Sequence, residues 1–398
     1  MRIVHVIGHY VPGLGYEENY LPKTEAMMGQ EVVLITSTRI PKALKDTLSK
    51  HSLITVTSAD KSGTRESGLT VLRLPSVPEV YGQILLVGLR KALRKLKPDI
   101  VHAHGAFSPN SVICAALQRK GGYALFVDDH TSYDLKTKKG LKAAYIASIR
   151  QFYHNYSTAV SKFLPVTPAA AKTLQLELQI PSAQITLTSL GADNGLFTPS
   201  AESRRITRKQ LGLSDQDVLV ICTGKFGTEK RVDLLVRAFS SIKSAGNNTI
   251  RLLLAGSARL DYMREVRSLC RQLGVDGRVM FYDFLPRREL AAFYNAADIG
   301  VWPGSHTITV LEALATGLPC IVPSTSEYAP LVRLRACLAF DPGNAESLAS
   351  SLTTLLDDPS LRAEIAVKAC QVVEERFSWE AVTRKTLAVY SGSLRATS

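Results

Sequence analysis

Short apolar runs recur along this chain, each followed by a polar or glycine-containing turn and then by a longer segment of helical spacing. Runs over 2–8, 31–37, 69–74, 99–102, 124–127, 162–166 and 185–190 are too short for helices and apolar almost throughout, which is how strands buried on both faces read. Segments over 17–28, 80–96, 109–118, 140–156 and 168–178 alternate with them as helices. Strand, turn, helix, strand is the right-handed crossover of a parallel sheet. The alternation restarts at Val218, with strands there and over 250–255, 279–284, 298–302 and 320–322, and helices over 232–244, 263–273 and 288–295. From 345 onward the chain reads as helical, with Ser378 as N-cap of a final helix. Residues 38–68 are polar and loop-like, and 191–217, rich in Gly, Pro and Ser, reads as a linker. The expected fold is α/β: two doubly wound, Rossmann-like parallel-sheet domains over 1–195 and 196–377 facing a central cleft, plus a last helix over 378–398. Ligand-binding loops belong at the carboxyl ends of the strands, and the cleft is the natural site.

Composition narrows the class. The 398 residues are 45% hydrophobic, enough for real cores. No apolar run approaches the roughly 18 residues of a membrane helix, and 1–8 reads as a strand rather than a signal peptide. Six cysteines (Cys114, Cys222, Cys270, Cys320, Cys337 and Cys370) are scattered without a CxxC pair. Buried free thiols in a reducing cytoplasm are expected, and a zinc site is not. The formal net charge is +13. One basic cluster holds Arg90, Lys91, Arg94, Lys95 and Lys97, a second Lys136, Lys138, Lys139 and Lys142. These are either solvated faces or attractors of phosphate. No aromatic residues interleave them, which disfavours nucleic acid. An anionic membrane surface, met peripherally from its cytoplasmic side, suits the charge better.

Three stretches carry candidate chemistry. The segment over 297–323, ADIGVWPGSHTITVLEALATGLPCIVP, reads as a strand, a tight loop over 303–306 and a helix capped by Thr309. Glu312 follows at capping-box spacing, so it either caps the helix or bonds a hydroxyl of a ligand. The free amides and positive dipole end of such a helix make an anion site. In GKFGTEKR, Lys225 and Lys230 flank a glycine-containing loop at another helix start, a phosphate signal. In HYVPGLGYEENYL, Gly13 and Gly15 form either a plain turn or a close approach of backbone to ligand; the dinucleotide fingerprint is incomplete. His102, His104 and His130 end neighbouring strands, in a spacing that fits no standard zinc site. Asp128 and Asp129 read as structural or orienting residues.

In this order the motifs resemble those of the family 4 glycosyltransferases of GT-B fold, nearly end to end. Gly15 and Glu17 match the family's glycine turn and glutamate, and His130 its histidine after a first-domain strand. Gly191, Asp193, Phe197 and Pro199 match the end of the first domain; Gly224, Lys225 and Lys230 the phosphate loop; Tyr294, Ala297 and Asp298 a strand entry. Glu312, Ala313, Ala315, Gly317 and Pro319 match EAxAxGxP, and FSWE the final helix that crosses back to the first domain. Three positions depart: Gly304 stands where the family has a second Glu, Lys225 replaces an Arg, and Leu14 replaces a Gly. The resemblance implies retaining transfer of a sugar from a nucleoside diphosphate donor to a hydroxyl of a sugar or lipid-linked acceptor, in polysaccharide or glycolipid assembly, without metal or other cofactor. It implies catalytic roles for His130, Lys225 and Lys230, and donor binding by Gly15, Gly224, Gly304, Ser305, His306, Thr307, Ile308, Thr309 and Glu312. Ser305 or His306 would contact the sugar in place of the missing Glu, and Glu312 would hold the ribose. Two other readings stand beside it: a catalytically impaired nucleotide-sugar-binding scaffold, and another GT-B enzyme such as a nucleotide-sugar epimerase.

Overall fold

The computed structural model describes residues 1–40, 64–66, 69–79, 82–131, 140–242, 249–257 and 260–395. Lys136, Lys138 and Lys139 of the second basic cluster lie outside the described residues, as do most of 38–68 and the expected end of the helix over 232–244. The chain divides into two units: Met1–Leu190 with Val382–Ser398, and Gly191–Ala381.

Unit one runs β1 (Arg2–Val6), α1 (Glu17–Met27), β2 (Glu31–Ser37), β3 (Thr64–Glu66), β4 (Leu69–Leu74), α2 (Leu89–Leu96), β5 (Ile100–Ala103), α3 (Pro109–Gly121), β6 (Ala124–Asp129), α4 (Leu141–Asn155), β7 (Lys162–Pro165) and α5 (Pro168–Glu177). Its sheet has the order β3-β4-β2-β1-β5-β6-β7, parallel except for the β3–β4 pair. Apolar side chains cover both faces, as the continuous runs require. Val4, Val101, Leu125 and Phe163 face one layer. Ile3, Leu34, Phe126 and Leu164 face the other, which is closed by Tyr390 from the far end of the chain.

Unit two runs α6 (Ala201–Gln210), β8 (Val218–Thr223), α7 (Val232–Ser240), β9 (Ile250–Ala255), α8 (Leu260–Gln272), β10 (Val279–Tyr282), α9 (Arg287–Ala296), β11 (Ile299–Val301), α10 (Ile308–Ala315), β12 (Cys320–Pro323), α11 (Ala329–Arg333), β13 (Cys337–Phe340), α12 (Ala345–Asp357) and α13 (Pro359–Val372). Its sheet is parallel, ordered β10-β9-β8-β11-β12-β13. The last helix, α14 (Trp379–Arg395), begins where Ser378 Oγ accepts from the Ala381 amide at 3.1 Å, the expected cap; from Val382 onward it belongs to unit one.

Four expectations need correction. The helix expected over 80–96 starts only at Leu89, because Gly82 and Gly88 take positive φ (77° and 89°) and the chain before them folds back through a Ser76–Leu86 bridge. No strand forms over 185–190: only Ile185 bridges, to Phe163. The linker holds a helix, α6, capped by Ser200 Oγ on the Ser203 amide and fastened by the half-exposed Arg204 and the buried Arg208. β3, inside the stretch read as loop, β13 and α11 escaped notice, being short and without clear period. Among the described residues no helix is long and apolar enough to cross a membrane.

Candidate functional site

In unit two, β8 ends at Thr223 and the chain turns through Gly224, φ 147°. A side chain on the facing Gly256 would sit 1.8 Å from the Gly224 carbonyl, so two backbones meet here with no room for more. The turn over Thr228–Lys230 then leads into α7. It is latched to the loop after β11: the Ser305 amide donates to the Glu229 carbonyl at 2.9 Å, and Lys230 Nζ donates to the carbonyls of Ser305 and His306, both at 3.1 Å. Gly304 lies under this latch. A Cβ on it would come within 2.3 Å of the Glu229 carbonyl oxygen and 2.6 Å of Lys230 Cα. The missing glutamate is thus a close packing of two loops. Burial lowers the pKa of Lys230 and, with the nearby Lys230 charge, pushes His306 down to about 4. Lys225 is exposed beside the turn.

The helix cap differs from expectation. Thr307 is the N-cap of α10, with no side chain bonding the first amides. Thr309 lies inside the helix, its hydroxyl 3.1 Å from that of Thr307. Glu312 makes no capping box. It is 2% exposed and its Oε1 accepts from Arg287 Nη1 at 2.6 Å, since a buried carboxylate gains more from a guanidinium than from a partly solvated amide. Burial raises its pKa against the lowering by Arg287. The first-turn amides of Ile308 and Thr309 therefore carry the orphan donors of a helix start, with the Thr307 amide facing the Tyr328 hydroxyl, beside a lysine held by two carbonyls. Such an arrangement binds anions.

Other motif residues build the frame. Asp298 accepts from Arg204 (2.6 Å), Arg208 (3.0 Å) and the Leu219 amide (2.8 Å), fixing α6 to the sheet. Tyr294 shares a 2.6 Å bond with the Thr223 hydroxyl. Gly191 packs against Trp379, leaving no space for a Cβ. Asp193 accepts from the Gly195 and Leu196 amides.

In unit one, the strand-end histidines join a buried polar ring. His5 Nε2 lies 2.6 Å from Glu25 Oε2 and His5 Nδ1 lies 3.0 Å from His104 Nε2. His104 pairs with Asp128, and Asp128 lies 3.4 Å from His102 Nε2. His102 Nδ1 meets the Tyr390 hydroxyl at 2.6 Å, and Tyr390 shares a hydrogen bond with Glu25. Burial alone would raise the Asp128 pKa, but His104, His102 and His130 hold it well below the ordinary value. Burial pushes Glu25 up to about 8 and His5 well down. His130 stands at the open edge, 41% exposed, with Nε2 2.8 Å from Glu17 and 3.7 Å from Asp128. Burial opposes its charge, but the two carboxylates win and hold its pKa well above the ordinary value. His5, His102 and His104, and likewise Glu17, Asp128 and His130, are close enough to share a cation, though hydrogen bonds to one another and to Glu25 already engage them. Gly15 takes φ 84°, and its amide donates to Asn19 Oδ1 at 3.0 Å.

A chamber of about 320 Å³ opens beside this ring at the carboxyl ends of β1, β5 and β6, lined among others by His9, Leu14, Glu18, His104, Ser108 and Asp129. Burial pushes Glu18 up to about 7. The structure thus gathers Lys230, Gly304, Ser305, His306 and Thr307 in unit two, and in unit one sets His130 against Glu17, two residues after Gly15. Sequence reasoning missed Arg287, Arg204, Arg208, His5, Glu25 and Tyr390; each works through a long-range partner that no local motif reveals.

Two family models match successive parts of the chain: Glycosyltransferase Family 4 over residues 26–196 and Glycosyl transferases group 1 over residues 203–372. A Methanocaldococcus jannaschii protein named an uncharacterized glycosyltransferase is 30% identical over 46% of this chain and 47% of its own length. The sulfoquinovosyl transferase of Arabidopsis thaliana is 26% identical over 84% of this chain and 65% of its own. The chain spans about half the length of the first curated relatives it matches. The crystal structure of Anabaena HepE in complex with UDP is similar in fold, with TM-score 0.74 over 98% of this chain and 100% of that one, at 16% identity.

Proposed function

From a chain that belongs with the family 4 glycosyltransferases and has their GT-B fold, we propose retaining transfer of a sugar from a nucleoside diphosphate sugar to a hydroxyl acceptor in polysaccharide or glycolipid assembly. The observation that carries this reading is the Lys230 ammonium, held by the Ser305 and His306 carbonyls beside the uncapped first turn of α10. As the bond from the anomeric carbon to the diphosphate breaks, its electron pair passes to the phosphate oxygen. The acceptor oxygen bonds the same carbon, and its proton leaves with the phosphate. The protein's part is to stabilise the growing charge: Lys230 keeps a third N–H for the phosphate, Lys225 adds a mobile cation, and the amides of Ile308 and Thr309 point their dipoles at it. A preorganised donor of this kind contributes about 2.7–4 kcal/mol to the transition state. These charges leave no need for a divalent cation. Glu312 has one oxygen on Arg287 and offers the other to ribose hydroxyls. Gly224 admits the phosphates, and His306 and Ser305 face the sugar. His130, charged by Glu17 and Asp128, holds a sugar hydroxyl, with Gly15 giving the loop its close approach. The acceptor binds unit one, whose basic α2 suits an anionic membrane surface on the cytoplasmic side.

The test is a thermal-shift and nucleotide-release screen against UDP-, GDP-, ADP- and dTDP-sugars, with and without EDTA; the UDP held by HepE makes uridine the first base to try. Stabilisation by one nucleotide class, with slow release unaffected by EDTA, is expected. Lys230→Ala should remove transfer while leaving the melting curve cooperative. Failure of every nucleotide to stabilise the protein, or near wild-type turnover in Lys230→Ala, would overturn the reading; tight binding with no release even with acceptors present would favour the scaffold.

A further inference from the structure

We propose that the acceptor is an amphiphile, and that unit one holds its hydrocarbon chain in a second cavity adjoining the polar chamber. The inference rests on the transferase reading above and names the substrate class. The second cavity encloses about 380 Å³ and is lined among others by Val77, Leu85, Leu141, Tyr145 and Ile146. Gln83 and Phe107 line both it and the polar chamber, so the two spaces meet at one shared wall. One side of that wall presents Glu18, His104 and Asp129, groups that bind hydroxyls; the other presents apolar carbon. A free sugar would use only the first.

The apolar side is a built wall. Residues 75–79 and 82–87 run back along one another, the Val77 amide donating to Leu85 and the Val87 amide to Pro75. Buried Asn110 clamps this hairpin, accepting from the Leu86 amide at 2.9 Å and donating to the Ile84 carbonyl at 2.8 Å. Across the cavity, Tyr145 donates to the Phe107 carbonyl at 2.8 Å and Tyr153 to that of Ala106 at 3.0 Å, which holds the shared wall in place. At the mouth Leu141 is 77% exposed and Val77 42%. Exposed leucine at the first residue of a helix has no folding advantage. A chain lying across it would remove that surface from water.

The experiment measures binding of hexyl, octyl and decyl β-D-glucosides, below their micellar concentrations, by calorimetry on the full chain, with glucose as control. Affinity should rise about fourfold for each added methylene until the cavity is filled, following the transfer free energy of a buried CH₂. Leu141→Glu and Val77→Asp, both at exposed positions the fold does not need, should each weaken octyl glucoside at least tenfold, and Leu141→Met should restore it. Affinity independent of chain length overturns the proposal. So does a Leu141→Glu variant that loses binding to anionic vesicles yet keeps octyl glucoside, because that surface would then be a membrane seat and no chain site. Nucleotide stabilisation of the wild type is read separately. Its loss with chain-length dependence intact would sink the transferase reading alone, and the converse would sink this inference alone.

Discussion

At Gly304 the absence of a side chain is itself the structural feature. Any Cβ there meets the backbone of Glu229 and Lys230, and backbone cannot rotate aside. Gly304→Ala is expected to cost about 1–3 kcal/mol as an overpacked contact and to weaken nucleotide stabilisation at least tenfold by prising Lys230 from its carbonyls. Gly304→Glu should do worse, despite restoring the family's residue. A variant melting and binding like wild type would show that the latch has slack. His130 gives a second test. Its raised pKa means the charged pair with Glu17 adds stability fully present below the imidazole's ordinary value of about 6.5, and lost as pH rises through the higher folded value. Glu17→Gln should move the His130 titration, followed by NMR of its ring protons, to lower pH. An unmoved titration would assign the shift to Asp128 instead.

At the scale of elements, most strands were legible because buried parallel strands write themselves as unbroken apolar runs: β2, β4 and β9 appear with the bounds the pattern gave. What failed was local composition overruled at a distance. The Gly-, Pro- and Ser-rich stretch after residue 191 looked like a linker, yet Arg204 and Arg208 reach Asp298 some ninety residues on and make a helix of it. The Thr309 cap failed likewise, because Glu312 found Arg287. The site loops were legible in their residue types, since glycine, lysine and an acidic residue at a helix start carry their chemistry locally; the ring around His104 was not, being assembled from five separate elements. Asp298→Ala should cost about 3–5 kcal/mol, because it leaves the guanidinium of Arg208 buried without its counter-ion. Denaturant unfolding followed at Trp302, in the same unit, would read it; a loss under 1 kcal/mol would demote the pair to decoration.

At the scale of the whole chain, the ring of His5, Glu25, Tyr390, His102, Asp128 and His104 ties together residues from both ends of the sequence. Its weak point is Glu25, a carboxyl whose pKa rises from about 4.5 unfolded to about 8 folded. Its contribution to stability is complete below pH 4.5 and is lost as pH climbs through 8. Glu25→Gln, which cannot ionise, should therefore compare progressively better with wild type between pH 5 and 9 in urea unfolding. A pH-independent difference would show that Glu25 keeps its charge throughout. The same ring has a consequence for synthesis. Tyr390, which covers Ile3, Phe126 and Leu164, is separated from β7 by all of unit two. At roughly 5–20 residues per second, the ribosome needs on the order of 10–40 s to supply it. During that interval unit two can finish, while the earlier-made sheet waits with an apolar face uncovered. The nascent first unit is thus a client for chaperones, and a stop codon anywhere from Trp379 to Tyr390 would strand it although every loop of both sites had been translated.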